Sequence, residues 1–355
     1  LAQAMGDVLV EDPIAMAQVE SWFVSRGRGM PEINRVQALR PSRGEAIQNL
    51  NGTAPGLSGR VGTCDVFCLP GPPREMVPMF EQAVLPRLRP AGGRIVVTRV
   101  LHCFGIGESD LATRLGALMD RSRAERQEPM VGTTASGGVV SIRVRVETDR
   151  SVQEAEEMVE KVMGECRVAA GPYAVSEVGE SGAVMQATLV ELLQKRGETI
   201  GTVESCTGGL VGALLTDVPG SSAVFGGGLL TYSNALKMQL AGVDPGLYGE
   251  GGSGAVSRQT AIAMAMGGVA KLGVSHAVSL TGIAGPGGGS AEKPVGTVFI
   301  ARASADGTSE CRAFGFSGDR RSIRELAARS AIGVMIQHLR GIAPGAARML
   351  RERVG

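Results

Sequence analysis

The chain has 355 residues, room for two or three domains at roughly 100–200 residues each. Its 36 basic and 35 acidic side chains nearly cancel, so no net field marks a nucleic-acid or membrane partner. Hydrophobic residues make up 43% and charged residues 20%, an ordinary globular composition. The longest apolar run, Ala261–Ala270 between Arg258 and Lys271, falls short of the roughly 20 residues a membrane span needs. No secretory leader pattern opens the chain, and its first residue is Leu1 rather than Met, as at a fragment boundary. Six scattered cysteines lack the paired spacing of a metal site, so none is expected, and reduced thiols in a cytoplasmic protein are.

In chain order, Ile14, Val19, Trp22 and Phe23 have helical spacing, followed by a Gly/Pro-rich middle. A helix is predicted from about Pro73 to Leu88, with Pro in its first turn, and Pro90-Ala91-Gly92-Gly93 reads as a break. Residues 94–178 then read strand (Arg94–Leu101), helix (Ser109–Met119), strand (Val139–Val146) and acidic helix (Ser151–Val162), the content of a small α+β domain. The Gly171-Pro172 step and the polar stretch Ser176–Gly182 mark the next boundary.

From residue 182 a helix through Leu193 leads to a strand, Thr199–Val203, and a turn rich in Gly. Strand-like Leu229–Tyr232, a helix, a helix over 257–271 and a strand at Ala277–Leu280 follow. Strands near Gly296–Ala301 and Cys311–Phe316 precede a final helix, Asp319–Leu339, with Asp319 as N-cap. Strands alternating with helices predict a layered α/β domain.

Three segments carry chemistry. Ser205 follows a strand and precedes Thr207-Gly208-Gly209 at a helix start, where unpaired N–H groups can hold a phosphate or an oxyanion. Simple capping by Ser205 or Thr207 explains the same pattern. Lys237 completes the first turn of the helix that follows Tyr232-Ser233-Asn234, and a buried lysine can act as a base while a tyrosine relays a proton. A solvated lysine and a core tyrosine are the bland alternative. Finally, the loop Thr281-Gly282-Ile283-Ala284-Gly285-Pro286-Gly287 follows an apolar strand, and its backbone can approach a ligand closely, although no Walker lysine follows. The three histidines, His102, His276 and His338, sit in structural contexts, so a hydrolase here would move protons with Lys or Tyr.

Five stretches in order resemble the C-terminal domain of the CinA family (competence/damage-inducible protein A), found alone as nicotinamide-mononucleotide deamidase. They are Glu204–Gly209, Tyr232–Lys237, Gly254-Ala255-Val256-Ser257, Ser279–Gly288 with Lys293–Val298, and Phe316–Arg320 with Arg324. The resemblance implies hydrolysis of nicotinamide mononucleotide to nicotinic acid mononucleotide and ammonia, without a cofactor. It makes Ser205 the nucleophile, with Lys237 and Tyr232 for proton transfer; which of the two takes the serine proton stays open. Cys206, Thr207, Gly208, Gly209, Asn234, Thr281, Gly282, Gly285, Gly287 and Arg320 are the expected substrate contacts, Arg320 and the glycine loop toward the phosphate.

The front of the chain is similar to the same family's molybdopterin-binding-like domain at Arg26-Gly27-Arg28, Asn34–Ala38, Asn51–Gly56 and Leu69–Met76, and Phe104–Glu108 to its KH-like domain. The implied fold is multidomain α/β: an incomplete molybdopterin-binding-like α/β domain (1–90), a small KH-like α+β domain (91–178) and a layered α/β/α amidohydrolase domain (182–355). In the family the front domain can hydrolyse ADP-ribose with a divalent metal. The first strands and the Gly-Gly-Leu-Gly-Pro-Thr-x-Asp-Asp motif would precede residue 1, which leaves Glu75 and Asn51 to line a vestigial site at most. A small-molecule nucleotide is the expected partner and a homodimer the expected assembly. The KH-like segment has no basic Gly-x-x-Gly loop, which favours a spacer or oligomerisation role over nucleic-acid binding. Pyrophosphatase activity of the front domain and a non-enzymatic competence or DNA-repair partner are the alternatives.

Overall fold

The computed structural model describes residues 1–88, 94–124, 128–177 and 183–353; the domain breaks read at 90–93 and within 178–182 lie outside them. The chain divides into two compact units, residues 1–93 and 94–355.

In the first unit, helices α1 (Ala2–Met5), α2 (Pro13–Val24) and α3 (Pro73–Met79) accompany strands β1 (Leu9–Glu11), β2 (Leu39–Pro41), β3 (Glu45–Ile47), β4 (Gly56–Val61) and β5 (Cys64–Cys68). β1 pairs antiparallel with β2, and β3-β4-β5 form a separate antiparallel sheet. Asp12 caps α2 by accepting from the amides of Ile14 and Ala15, with Pro13 at the first helical position. The predicted helix to Leu88 stops at Met79 and continues as a π turn over Phe80–Val84 and a 3-10 turn over Leu85–Arg87. Pro78 and Pro86 lack the amides an uninterrupted α-helix uses. Glu75 and Asn51 are already engaged: Glu75 accepts from the Asn49 side chain, and Asn51 donates to the Arg74 carbonyl.

The second unit opens with β6 (Ile95–Phe104), α4 (Glu108–Ala124), β7 (Met130–Ser136), β8 (Val139–Thr148), α5 (Val152–Ala170) and β9 (Ala174–Ser176). The sheet order is β7-β8-β6-β9, all antiparallel. Ser151 and Glu154 form a reciprocal capping box at the start of α5. Leu111, Leu115, Val159 and Met163 of the two helices bury against Ile142 and Val144.

Next come α6 (Val184–Arg196), β10 (Ile200–Glu204), α7 (Leu210–Thr216), β11 (Phe225–Leu230), α8 (Asn234–Ala241), α9 (Arg258–Leu272), β12 (His276–Gly282), β13 (Thr297–Ser304), β14 (Ser309–Gly315) and α10 (Arg320–Leu339). The sheet order is β11-β10-β12-β13-β14, parallel across the first three strands and antiparallel beyond. α6, α7 and α10 pack on one face and α9 covers the other, with α8 against α9. Ile200 and Val203 of the interior strand β10 are fully buried, each worth about 1.5–3 kcal/mol relative to exposure.

The chain leaves β10 toward β11 on one side and returns to β12 on the other. The carboxyl end of β10 is therefore a topological switch point, where open α/β sheets bind their ligands. The strand-like run at Leu229–Tyr232 is displaced: β11 ends at Leu230, so Tyr232 lies in the connection to α8. Past α10, residues Arg351 and Arg353 pair with Gly315 and Ala313 along β14. Among the described residues no helix is long and apolar enough to cross a membrane, and no His/Cys/Asp/Glu group could hold a metal.

Candidate active site

Register places the key residues. Glu204 at the end of β10 is level with Leu230 of β11 and Leu280 of β12, so the next residues, Ser205, Thr231 and Thr281, share one rim. The Ser205 amide donates to the Leu280 carbonyl at 3.1 Å and that of Thr231 to the Glu204 carbonyl at 2.8 Å. Two successive left-handed glycines, Gly208 (φ 63°) and Gly209 (φ 92°), turn the chain from β10 into α7, a conformation costly for residues with a Cβ.

Lys237 reaches this rim from α8. Ser233 caps that helix by accepting from the Leu236 amide, and Gly267 of α9 lets α8 approach so closely that a Cβ there would lie 1.8 Å from the Ala241 carbonyl oxygen. The Lys237 side chain is only 2% exposed, and its Nζ donates at 3.0 Å both to Ser205 Oγ and to the Thr231 carbonyl. Among the described residues no carboxylate pairs with it. Burial pushes its ammonium below the usual lysine range, toward the neutral amine. Lys237 is thus the buried group and Tyr232, 62% exposed, the solvent-facing one, the reverse of a surface lysine and a core tyrosine.

Tyr232 sits at the mouth. Its hydroxyl accepts from Arg320 Nη2 at 3.0 Å, while Arg320 Nη1 donates to the Gly285 carbonyl at 2.7 Å. Arg320 has only neutral partners among the described residues, so its charge is uncompensated beside the opening. The cavity has a volume of about 250 Å³, at the small end for ligand sites. Ser205, Cys206, Tyr232, Asn234, Lys237, Thr281, Gly282 and Arg320 all line it, together with Ala255, Val256 and Ala284. Burial pushes the neighbouring Cys206 thiol up to about 12, which keeps it protonated beside the serine.

Several expected contacts fall elsewhere. Thr207, Gly208, Gly209 and Gly287 do not line the cavity, and Gly285 touches the site only through its carbonyl. The opening of α7 is not a free anion site. The buried Glu204 carboxylate accepts from the amides of Gly209, Val211 and Gly212 at 2.9–3.1 Å and takes the positions an incoming anion would use. Neither Ser205 nor Thr207 caps the helix: the N-cap is Gly209, and the buried Thr207 hydroxyl has no partner among the described residues. The Thr207 amide donates no hydrogen bond among the described residues, which leaves a donor in the turn just after the serine. Arg324 holds this turn by donating to the Thr207 carbonyl at 2.7 Å. The motif Glu204–Gly209 contained the Glu204 plug, and an acid within reach of a helix start was its readable signal.

Opposite the serine, Thr281 Oγ1 donates to the Ala255 carbonyl at 2.6 Å, and Ser257 and Thr260 both donate to the Gly254 carbonyl. These bonds fix the wall made by residues 254–257. His276 and His338 lie at the other end of the sheet. His276 bonds Ser304 and Glu198, and Ser304 also meets His338, so neither histidine serves the serine.

The family model of the CinA C-terminal domain matches residues 182–339, and that of the damage-inducible protein CinA KH domain matches residues 98–176. A competence-damage inducible protein of Symbiobacterium thermophilum is 40% identical over 354 residues, covering 96% of this chain and 80% of its own. A CinA-like protein of Synechocystis is 39% identical over 339 residues, covering 94% of this chain and 77% of its own. The crystal structure of the competence/damage inducible protein CihA from Agrobacterium tumefaciens is 38% identical over 46% of this chain and 99% of that one, with a TM-score of 0.43. With the family's two domain models matched in order and these relatives aligned over most of its length, the chain is a multidomain α/β member of the CinA family.

Proposed function

We propose that residues 182–355 form an amidohydrolase that converts nicotinamide mononucleotide to nicotinic acid mononucleotide and ammonia through a Ser205–Lys237 pair. The observation that carries this reading is the buried Lys237 amine, 3.0 Å from Ser205 Oγ and without a counter-charge among the described residues. A lysine kept there for stability alone would be a poor choice, because burying its charge costs free energy that nothing nearby returns. As a neutral amine it can donate to Thr231 and still accept the serine proton.

Ser205 Oγ attacks the carboxamide carbon while its proton passes to Lys237 Nζ. The carbonyl oxygen becomes an oxyanion, for which the backbone amides of the turn directly after Ser205 are the proposed donors. Collapse breaks the C–N bond, Lys237 returns its proton to the leaving nitrogen, and ammonia departs from a seryl ester. Water then attacks the ester, Lys237 takes the water's proton, and the proton is delivered to Ser205 Oγ as the acid leaves. Arg320, fixed by Tyr232 and Gly285, supplies the unpaired positive charge for the phosphate. Tyr232 is then a positioning group for Arg320 at the mouth, and Lys237 is the base.

Purified protein incubated with nicotinamide mononucleotide is expected to release ammonia, and Ser205→Ala is expected to abolish the release. Absence of release from the unmodified protein, or undiminished release from Ser205→Ala, would overturn the assignment.

A further inference from the structure

A second cavity, of about 530 Å³, lies within residues 94–355 where the start of α4 meets the segment after α10. Its wall contains three arginines, Arg114, Arg348 and Arg351, and the ring of Tyr173. None of the three guanidinium groups forms an ion pair with a carboxylate among the described residues. Arg114 stands 5.1 Å from the centre of the Tyr173 ring, and Arg348 donates to the Glu352 carbonyl. Two acids line the same cavity. The Glu352 carboxylate is engaged by the Met349 amide and by Arg312, which leaves Asp110 as the one free negative charge.

The backbone is set for this arrangement. Arg351 is the one non-glycine residue with a left-handed backbone among those described, at φ 69°. Such a conformation persists where surrounding structure imposes it, and it recurs at ligand clamps. Here the Arg351 carbonyl is held by the Gly315 amide, and the Leu350 amide donates to the Gly105 carbonyl at 2.7 Å. The segment is pinned on one side to β14 and on the other to the Gly105 wall of the cavity. Leu350, half exposed, and Tyr173 add apolar surface between the arginines.

We propose that this cavity binds a small phosphate ester carrying a planar ring, a mononucleotide in chemical class, at a site separate from the Ser205 pocket. Arg114 and Arg351, with the remaining Nη1 of Arg348 (whose Nε and Nη2 both donate to the Glu352 carbonyl), supply the donors for the phosphate, and Tyr173 with Leu350 forms the surface for the ring. The volume of about 530 Å³ is of the size that takes a single small molecule. This site stands whether or not residues 182–355 deamidate a nucleotide.

The test uses the full chain carrying Arg320→Ala, so that the first pocket contributes no phosphate contact, titrated with AMP by calorimetry. Saturable binding at one AMP per chain is expected, competed by inorganic pyrophosphate. Arg348→Ala and Arg351→Gly, each added to that background, are expected to weaken it by about tenfold or more. Arg351→Gly relieves the left-handed backbone, so its loss of binding would come with unchanged or raised thermal stability. Absence of AMP binding, binding by the Arg351→Gly and Arg348→Ala proteins undiminished from that of the Arg320→Ala parent, or tighter binding of a single-stranded oligonucleotide at this site would overturn the proposal.

Discussion

Replacing Lys237 by Met removes one buried amine while keeping an unbranched side chain of similar length, so chemistry and stability should separate. The lost hydrogen bond to the Thr231 carbonyl costs about 1 kcal/mol, offset by relief from desolvating an amine in a 2% exposed position. Net stability should therefore stay within about 1 kcal/mol, or roughly 2–4 °C in Tm for a domain of this size. Activity should respond differently. Removal of a positioned base typically costs on the order of 10²–10⁴-fold, or about 3–5 kcal/mol of transition-state stabilisation. The assay is ammonia release from nicotinamide mononucleotide across a pH series, beside thermal unfolding of the same samples. In the unmodified protein kcat should rise with pH as Lys237 loses its proton, at a midpoint below that of a free lysine because burial disfavours the ammonium. The rise should vanish in Lys237→Met. A loss under tenfold, or a fall in Tm large enough to account for the lost activity, would refute Lys237 as the base.

Arg320→Ala should raise KM for the nucleotide by about tenfold or more and change kcat less, since its expected partner is the phosphate remote from the reacting carbon; steady-state kinetics separates the two. Glu204→Ala removes the acceptor of three helix amides and should destabilise the second unit by about 2–3 kcal/mol, read by urea denaturation, with Ser205 losing its fixed geometry. Gly296→Ala should be more severe, because its φ is 91° and a Cβ would lie 1.9 Å from the Phe316 carbonyl oxygen; the expected outcome is insoluble or unfolded protein on expression. His338, whose pKa burial lowers to about 4, remains neutral in the fold at pH values where the unfolded chain binds a proton. Stability is therefore highest above about pH 6.5 and declines as pH falls toward 4, a slope that His338→Gln should flatten in denaturation curves.

The parts of this architecture that were readable share a cause. β12 and β14 bury apolar faces, and α9 and α10 start on the strong N-caps Ser257 and Asp319, so local pattern and final packing agree. The front strands β1–β5 are three to six residues long, too short for alternation to stand out. β7, with the sequence Met130-Val131-Gly132-Thr133-Thr134-Ala135-Ser136, owes its existence to pairing with β8 rather than to apolar content. At the site, spacing alone could not decide which of Tyr232 and Lys237 lies inside. That depends on how closely α8 docks on α9, a tertiary property set through Gly267. The role of Glu204 was hidden for a similar reason, since only the turn through Gly208 and Gly209 folds the helix start back over its carboxylate.

The pairing of Arg351 and Arg353 along β14 bears on how this sheet avoids growing. β14 is the outermost strand on its side, and an uncovered edge offers unpaired amide and carbonyl groups to any extended chain nearby. Residues near the very end of the described chain fill part of that edge, with Phe314 bridged to Glu352. A variant in which residues 351–353 cannot pair with β14 would keep Ser205 and Lys237 in place and yet carry a sticky border, so its failure would register as aggregation while the Ser205–Lys237 geometry persists.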